Sequence, residues 1–224
     1  MRQIILDTET SGLDFEKDRI IEIGCLELID GVYTGKKYHR YYRPDNILIS
    51  QESQNIHGLD NEFLSKFESF DRKIEDFLLF VDNCQMIIHN AQFDLNMINQ
   101  SLKRLSKKEI NRSSTICTLE IAKKKFPGSK NNLNALCRRF DISLDSRDKH
   151  GALTDSFLLL QVYNELLGGK QQKLELNLKN TVENHKQEIN FEKVNLPLID
   201  LDKSEIDAHS KMTKNIKDKI WQFK

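Results

Sequence analysis

The run Ile4-Ile5-Leu6-Asp7-Thr8-Glu9 constrains the fold of this chain more than any other stretch. Its apolar start reads as a buried strand. Its end carries two carboxylates one residue apart, and alternate side chains of a strand point to one face. Asp7 and Glu9 therefore project together from the strand's C-terminal end. Like charges this close repel unless a cation sits between them, and an all-oxygen site suits Mg²⁺ or Mn²⁺. Alone, the pair reads more simply as a turn cap, Asp7, and a solvated Glu9. Gly12 follows directly and matching acids recur further along, which favours the metal reading.

Residues 3–7 form the first strand. Two further β-rich stretches, 19–30 and 34–43, complete an antiparallel meander that Pro44 ends. Helical spacing follows at 50–56, stopping at His57-Gly58, and at 70–81, where Ile74, Phe77, Leu78 and Val81 share a face. Met86-Ile87-Ile88 is a short strand leading into His89-Asn90, and 93–105 is a helix. Residues 115–118 read as a strand, 119–126 and 133–140 as helices. The last strong helix, 151–167, ends at Gly168-Gly169. This order predicts an α/β domain with a mixed sheet, antiparallel at first and parallel later. From 170 to 201 the composition shifts to Gln, Asn, Lys and Glu with isolated apolar residues, as in a flexible linker with little core. Beyond it, Ile206, Met212, Ile216 and Ile220 give a thin apolar stripe to a short terminal helix, followed by Trp221 and Phe223. The expected division is a domain at 1–169, a linker at 170–201 and a terminal segment at 202–224.

The net charge is +0, but its distribution is uneven. Residues 1–101 hold 10 Lys and Arg against 18 Asp and Glu, whereas 102–149 hold 13 against 5. An acidic part followed by a basic segment fits a metal pocket beside a surface for a polyanion; any single lysine is equally a solvated helix face. Cys25, Cys84, Cys117 and Cys137 include no Cys-x-x-Cys pair, which argues against a zinc site. Three lie in apolar, strand-like runs and one on a helix, the pattern of buried free thiols in a reducing compartment. The first residues lack a secretion-signal pattern, and no apolar run nears the ~20 residues that span a bilayer. A cytoplasmic protein without a membrane partner is expected.

Two later stretches supply further acids. Asp94 follows His89-Asn90-Ala91-Gln92-Phe93 at the first turn of a helix, where an acid often only complements the helix dipole. Asp155 lies on the last strong helix, and His150 just before it. Together Asp7, Glu9, Asp94 and Asp155 are four carboxylates that cannot all stay ionised at one spot without cations. Two divalent ions roughly 3.5–4 Å apart would satisfy them, and such pairs hydrolyse phosphodiesters. An imidazole at His150 suits a general base near neutral pH.

Asp7-Thr8-Glu9 with Thr10 and Gly12, then His89-Asn90-Ala91-x-Phe93-Asp94, then His150-x-x-x-x-Asp155 resembles the DEDDh family of 3′→5′ exonucleases. The resemblance implies a ribonuclease-H-like fold with a five-stranded mixed sheet flanked by helices, and release of nucleoside monophosphates from a 3′ end. It also implies that Asp7 bridges two Mg²⁺ or Mn²⁺ ions, that Glu9 and Asp155 hold the nucleophile-side ion, and that Asp94 holds the other. His150 would orient or deprotonate the water. Thr8, Thr10, His57, Asn90 and Phe93, with Asp7, Glu9 and Asp155, would hold the terminal nucleotides. His57 reads equally as a helix-end cap, His89 as structural or supporting, and Leu13 and Phe93 as core or rim.

Further stretches, among them Arg19 to Gly24, Ile56 to Leu59, Lys125 to Gly128 and Leu133 to Cys137, resemble the proofreading subunits of bacterial replicative DNA polymerases within that family. Such a subunit cuts frayed or single-stranded DNA 3′ ends, so discrimination comes from melting cost rather than base reading. Gln171, Leu174 and Leu176 have the Gln-x-x-aliphatic-x-hydrophobic form of a sliding-clamp peptide. Leu176 replaces the usual aromatic, so weak clamp binding is expected; the stretch also reads as plain polar linker. His209 and Trp221 lie in a segment that resembles the one docking on the polymerase (alpha) subunit. The alternatives are a stand-alone nuclease acting on RNA 3′ ends and a non-catalytic polymerase scaffold.

Overall fold

A computed structural model describes residues 1–145, 149–168 and 202–214. They fall into two units that divide after Leu174. In the first, β1 (Arg2–Thr10), β2 (Ile20–Ile29) and β3 (Val32–Tyr41) form the antiparallel meander, and β4 (Gln85–Ile88) and β5 (Thr115–Cys117) extend it in parallel. The five-stranded order is β3-β2-β1-β4-β5.

The alternation of β1 sorts its side chains between two layers. Ile4 and Leu6 join one core cluster with Ile74, Phe77 and Val81 of α3 (Phe70–Val81) and Leu95, Ile98 and Leu102 of α4 (Ala91–Arg104). Between β3 and α3, α1 (Gln51–His57) and α2 (Asn61–Leu64) cover a smaller cluster of Ile21, Ile49 and Leu64. On the opposite face Ile5 packs with Leu133 and Leu136 of α6 (Leu133–Arg139) and with Leu158, Leu159, Val162 and Leu166 of α7 (Ala152–Leu167). A further α-helix, α5 (Thr118–Lys125), contributes Ala122 to the same layer. By the same alternation Asp7 and Glu9 lie on the α7 side of the sheet, and Thr8 and Thr10 on the α4 side.

Boundaries differ from the sequence reading where pairing outweighs local pattern. The first strand runs on to Thr10, because Asp7, Thr8 and Glu9 continue the ladder opposite Gly24, Ile23 and Glu22 before a bulge. Thr118 opens α5 instead of ending a strand, its hydroxyl held near Ile88 O and His89 Nδ1. The short α2 was not expected; Asp60 caps it by accepting from the Phe63 amide at 2.7 Å. Cys84 lies in the turn before β4 rather than in a strand-like run, half-buried, accepting a hydrogen bond from the Arg2 guanidinium at 3.0 Å.

In the second unit α8 (Lys203–Lys214) leaves Ile206 and Met212 exposed. His209 lies on this helix, whereas Gln171, Leu174, Leu176 and Trp221 lie outside the described residues. No described helix is long and apolar enough to cross a membrane.

Candidate active site

Parallel pairing of β1 with β4 stops at Leu6 opposite Ile88. The next residues of β1, beginning with Asp7, therefore border a crevice at the carboxyl ends of the parallel strands, where open α/β sheets bind their ligands. Asn90 makes the turn out of β4 with φ 61°, and α4 begins at once. Asn tolerates this left-handed backbone better than most residues. Asp94 thus falls in the first turn of α4, 4% exposed, accepting a 2.7 Å hydrogen bond from the Thr8 hydroxyl. Asp94 therefore approaches from the α4 side, while Asp7 and Glu9 face α7.

On the α7 side the sheet is recessed. Gly24 sits beside Asp7 in the ladder and beside His39 in the next strand. A Cβ on Gly24 would stand 2.3 Å from the carbonyl carbon of Ala152 and 2.4 Å from the Leu153 nitrogen. The first turn of α7 thus rests on bare backbone, and Ser156 locks it by donating to Gly24 O at 2.9 Å. One turn of this seated helix carries Asp155. His150, just before it, is tied to α1 by its amide on Ile56 O at 3.1 Å. Its Nδ1 is 3.2 Å from Asp155 Oδ2, and one ligand atom from each of Glu9, His150 and Asp155 lies within 4.8 Å of the others.

Glu22 is a fifth acid of this centre, absent from the sequence-based set. It faces Glu9 across the ladder, 3% exposed, with its Oε1 2.8 Å from His39 Nε2. Like charges directly opposite in a sheet are destabilising, so a carboxylate in the middle of the apolar run Ile20 to Ile23 was the available signal.

Burial pushes the Asp7 carboxyl well above the ordinary carboxylate range, and the charges of Asp94, Glu9, Asp155 and Glu22 push it further. Burial raises Asp94 to about 7, against the hydrogen bond from Thr8. Carboxylates held this reluctantly as anions fit a site for divalent cations, whose charge reverses the balance.

The other expected residues are more dispersed. His57 is 6% exposed; its Nδ1 accepts the Leu59 amide at 3.0 Å, and its Nε2 has no partner among the described residues. Burial lowers its pKa, helped by Lys149 and His150 and opposed by Glu22. The Thr10 hydroxyl donates to Gly12 O at 2.7 Å, within the turn. Half-buried Phe93 packs on Phe15 with centroids 5.5 Å apart, which folds the β1–β2 loop onto α4. Leu13 is 79% exposed, on the rim rather than in the core. Half-buried His89, whose pKa desolvation lowers to about 4, bonds Thr118 and serves the join of β4 to α5.

A pH dependence follows from the raised carboxyls. Between about pH 4 and 7 the folded protein in EDTA holds a proton on Asp94 that the unfolded chain has released, so this group's contribution to stability falls as pH rises through that window. Asp94→Asn is therefore expected to leave Tm nearly unchanged at pH 5 and to raise it at pH 8, both in EDTA. Scanning calorimetry at the two pH values checks this; an equal shift at both would contradict it.

The Exonuclease (RNase_T) family matches residues 4–163. The DNA polymerase III subunit epsilon of Rickettsia conorii is 43% identical over 189 residues, spanning 83% of this chain and 82% of that protein. Its counterpart from Buchnera aphidicola subsp. Schizaphis graminum is 40% identical and spans 97% and 98%. Among solved structures, exonuclease X in complex with 5′-overhanging duplex DNA superposes with a TM-score of 0.57 at 25% identity, covering 74% of this chain and 90% of that one. With carboxylates from β1, α4 and α7 meeting at one crevice, and matches of this extent, the chain belongs to the exonuclease family and, within it, to the DNA polymerase III epsilon subunits.

Proposed function

We propose that this chain removes deoxynucleoside monophosphates from frayed or single-stranded DNA 3′ ends as the proofreading subunit of a replicative polymerase. The observation that carries the reading is the convergence of Glu9, Asp155 and His150 beside Asp7, with Asp94 bound through Thr8. The family is dependent on divalent metal; here Mg²⁺ or Mn²⁺ would be held by Asp7 between two positions, by Glu9 and Asp155 at one and by Asp94 at the other. Such ions, when bound, supply an activated water and a counter-charge for the departing 3′ oxygen.

The chain's own groups supply the rest. With Nδ1 3.2 Å from Asp155 Oδ2, a His150 tautomer protonated at Nδ1 would donate to Asp155 and leave the basic lone pair on Nε2 to take the proton of the attacking water. Mg²⁺ prefers oxygen ligands, which favours this role over direct ligation by His150. His57 combines its two readings. By accepting at Nδ1 it caps the end of α1, and that fixes its proton on Nε2. A buried donor without an acceptor costs about 1–3 kcal/mol, and an oxygen of the terminal nucleotide would satisfy it. Thr8, Thr10, Asn90 and Phe93 flank the same nucleotide. Separation of correct from mispaired ends then rests on the cost of melting several nucleotides into the crevice.

The deciding experiment digests matched 5′-labelled single-stranded DNA and RNA with Mg²⁺, Mn²⁺ or EDTA, using wild type and His150→Ala. A metal-dependent 3′→5′ ladder on DNA, reduced at least about 100-fold in the variant, is expected. A ladder chiefly on RNA would instead assign RNA processing, and none on either would leave a scaffold. Residues 202–224 would dock on the polymerase (alpha) subunit, and 171–176 weakly on the sliding clamp, with 170–201 as the tether. A chain ending at Leu201 should keep single-strand hydrolysis and lose co-elution with polymerase; retained co-elution would refute the docking role.

A further inference from the structure

Beside His150 a cleft of about 490 Å³ opens where the end of α1, α6 and the chain entering α7 meet. Arg138 and Lys149 line it together with Asn55 and Asn134, and among the described residues no carboxylate does. The stem of Lys149 lies across Gly58, where a Cβ would come within 2.5 Å of Lys149 Cδ. Gly58 takes φ 76° at the α1 cap, so the same glycine ends the helix and makes room for the lysine. Arg138 is exposed on the last turn of α6. Elsewhere Arg2, Arg104 and Arg112 each hold a carboxylate. Among the described residues Arg138 and Lys149 form no salt bridge. Two cations with no salt bridge among the described residues thus border a groove that opens on the proposed proton acceptor.

We infer that this cleft receives the sugar–phosphate backbone of the DNA strand leading to the reacting 3′ end, with Arg138 and Lys149 on its phosphates. The inference rests on the exonuclease reading above. A polyanion is the occupant because the charge is cationic, the groove adjoins the reacting end, and a phosphodiester chain offers an acceptor at every nucleotide. Binding of this kind is independent of base, as an editing enzyme requires.

The test measures KM for a 5′-labelled 12-nucleotide single strand and for a dinucleotide at several KCl concentrations with Mg²⁺ fixed. Arg138→Gln with Lys149→Gln is expected to raise KM for the longer strand about tenfold at 0.1 M salt. The plot of log KM against log salt should become shallower by about 1.4, or about 0.7 for each phosphate that is no longer neutralised. Arg138→Lys with Lys149→Arg should recover most of the affinity. A wild type inactive on DNA would overturn the exonuclease reading and this inference with it. An active wild type whose double Gln variant keeps the wild-type salt slope would overturn the inference alone. So would an equal loss on the dinucleotide, which would put both cations on the terminal nucleotide.

Discussion

Asp7→Ala is expected to lower kcat/KM on single-stranded DNA by about 10⁴-fold, a transition-state loss of about 5.5 kcal/mol, without unfolding the protein. Asp7 is the carboxylate on which burial and four neighbouring acids act together. It projects into the crevice beside Glu9, and no adjacent side chain could replace it, because Thr8 points to the opposite face and Gly24 has no side chain. Its substitution removes a ligand common to both proposed ions. The structural effect has the opposite sign. An anion raised this far is disfavoured by the fold, so in EDTA the variant should match or exceed the wild-type Tm. Its advantage should widen as pH rises, because the raised carboxyl costs stability only once it ionises. Mn²⁺ should raise the wild-type Tm and have much less effect on the variant. A rate within tenfold of wild type would remove Asp7 from the metal site. A fall in Tm of the EDTA-treated variant at pH 8 would contradict the electrostatic account of the crevice.

How much of this was legible in the sequence depended on the range of the interaction. The apolar run before Asp7, the alternation of β2 and the strong period of α7 are local, and all three elements lie where the pattern puts them. Asp7, Glu9, Asp94, His150 and Asp155 were legible as candidates because acids and an imidazole punctuate otherwise apolar or helical sequence. Glu22 was not, although it stands in an apolar run, because its relation to Glu9 exists only through the β1–β2 register. Lys149 and Arg138 were hidden for the same reason. A basic segment was visible, but solvated lysines and groove-lining ones look alike until Gly58 and His150 are placed beside them. Nothing in the sequence showed that the Thr8 hydroxyl also donates to Asp94. Pairing across the sheet and seating of helices are long-range facts, and single residues carry little trace of them.

Gly24 is the position where such a long-range fact has the largest energetic consequence. Gly24→Ala should destabilise the protein by about 3 kcal/mol, the upper range for overpacking, and slow hydrolysis by about 10²-fold or more, although Gly24 itself carries no functional group. The new Cβ would meet the Ala152 carbonyl group at 2.3–2.4 Å and the Leu153 nitrogen at 2.4 Å. These are backbone atoms of the first turn of α7, so no rotamer change relieves the clash and the whole turn must lift. Lifting it breaks the Ser156 bond to Gly24 O and draws Asp155 and His150 away from Glu9 and Asp7. A displacement of about 1 Å in such a constellation can cost about 10²-fold in rate. Gly31→Ala is the matched control, because a Cβ there meets nothing within 4 Å and only its left-handed backbone, φ 80°, is strained. The control should lose about 1 kcal/mol and remain active. Calorimetry and Mn²⁺ titration of both variants separate the effects: Gly24→Ala should lose metal-induced stabilisation and Gly31→Ala keep it. If Gly24→Ala folds with wild-type Tm and cleaves at the wild-type rate, the seating of α7 on bare backbone is not what assembles the site.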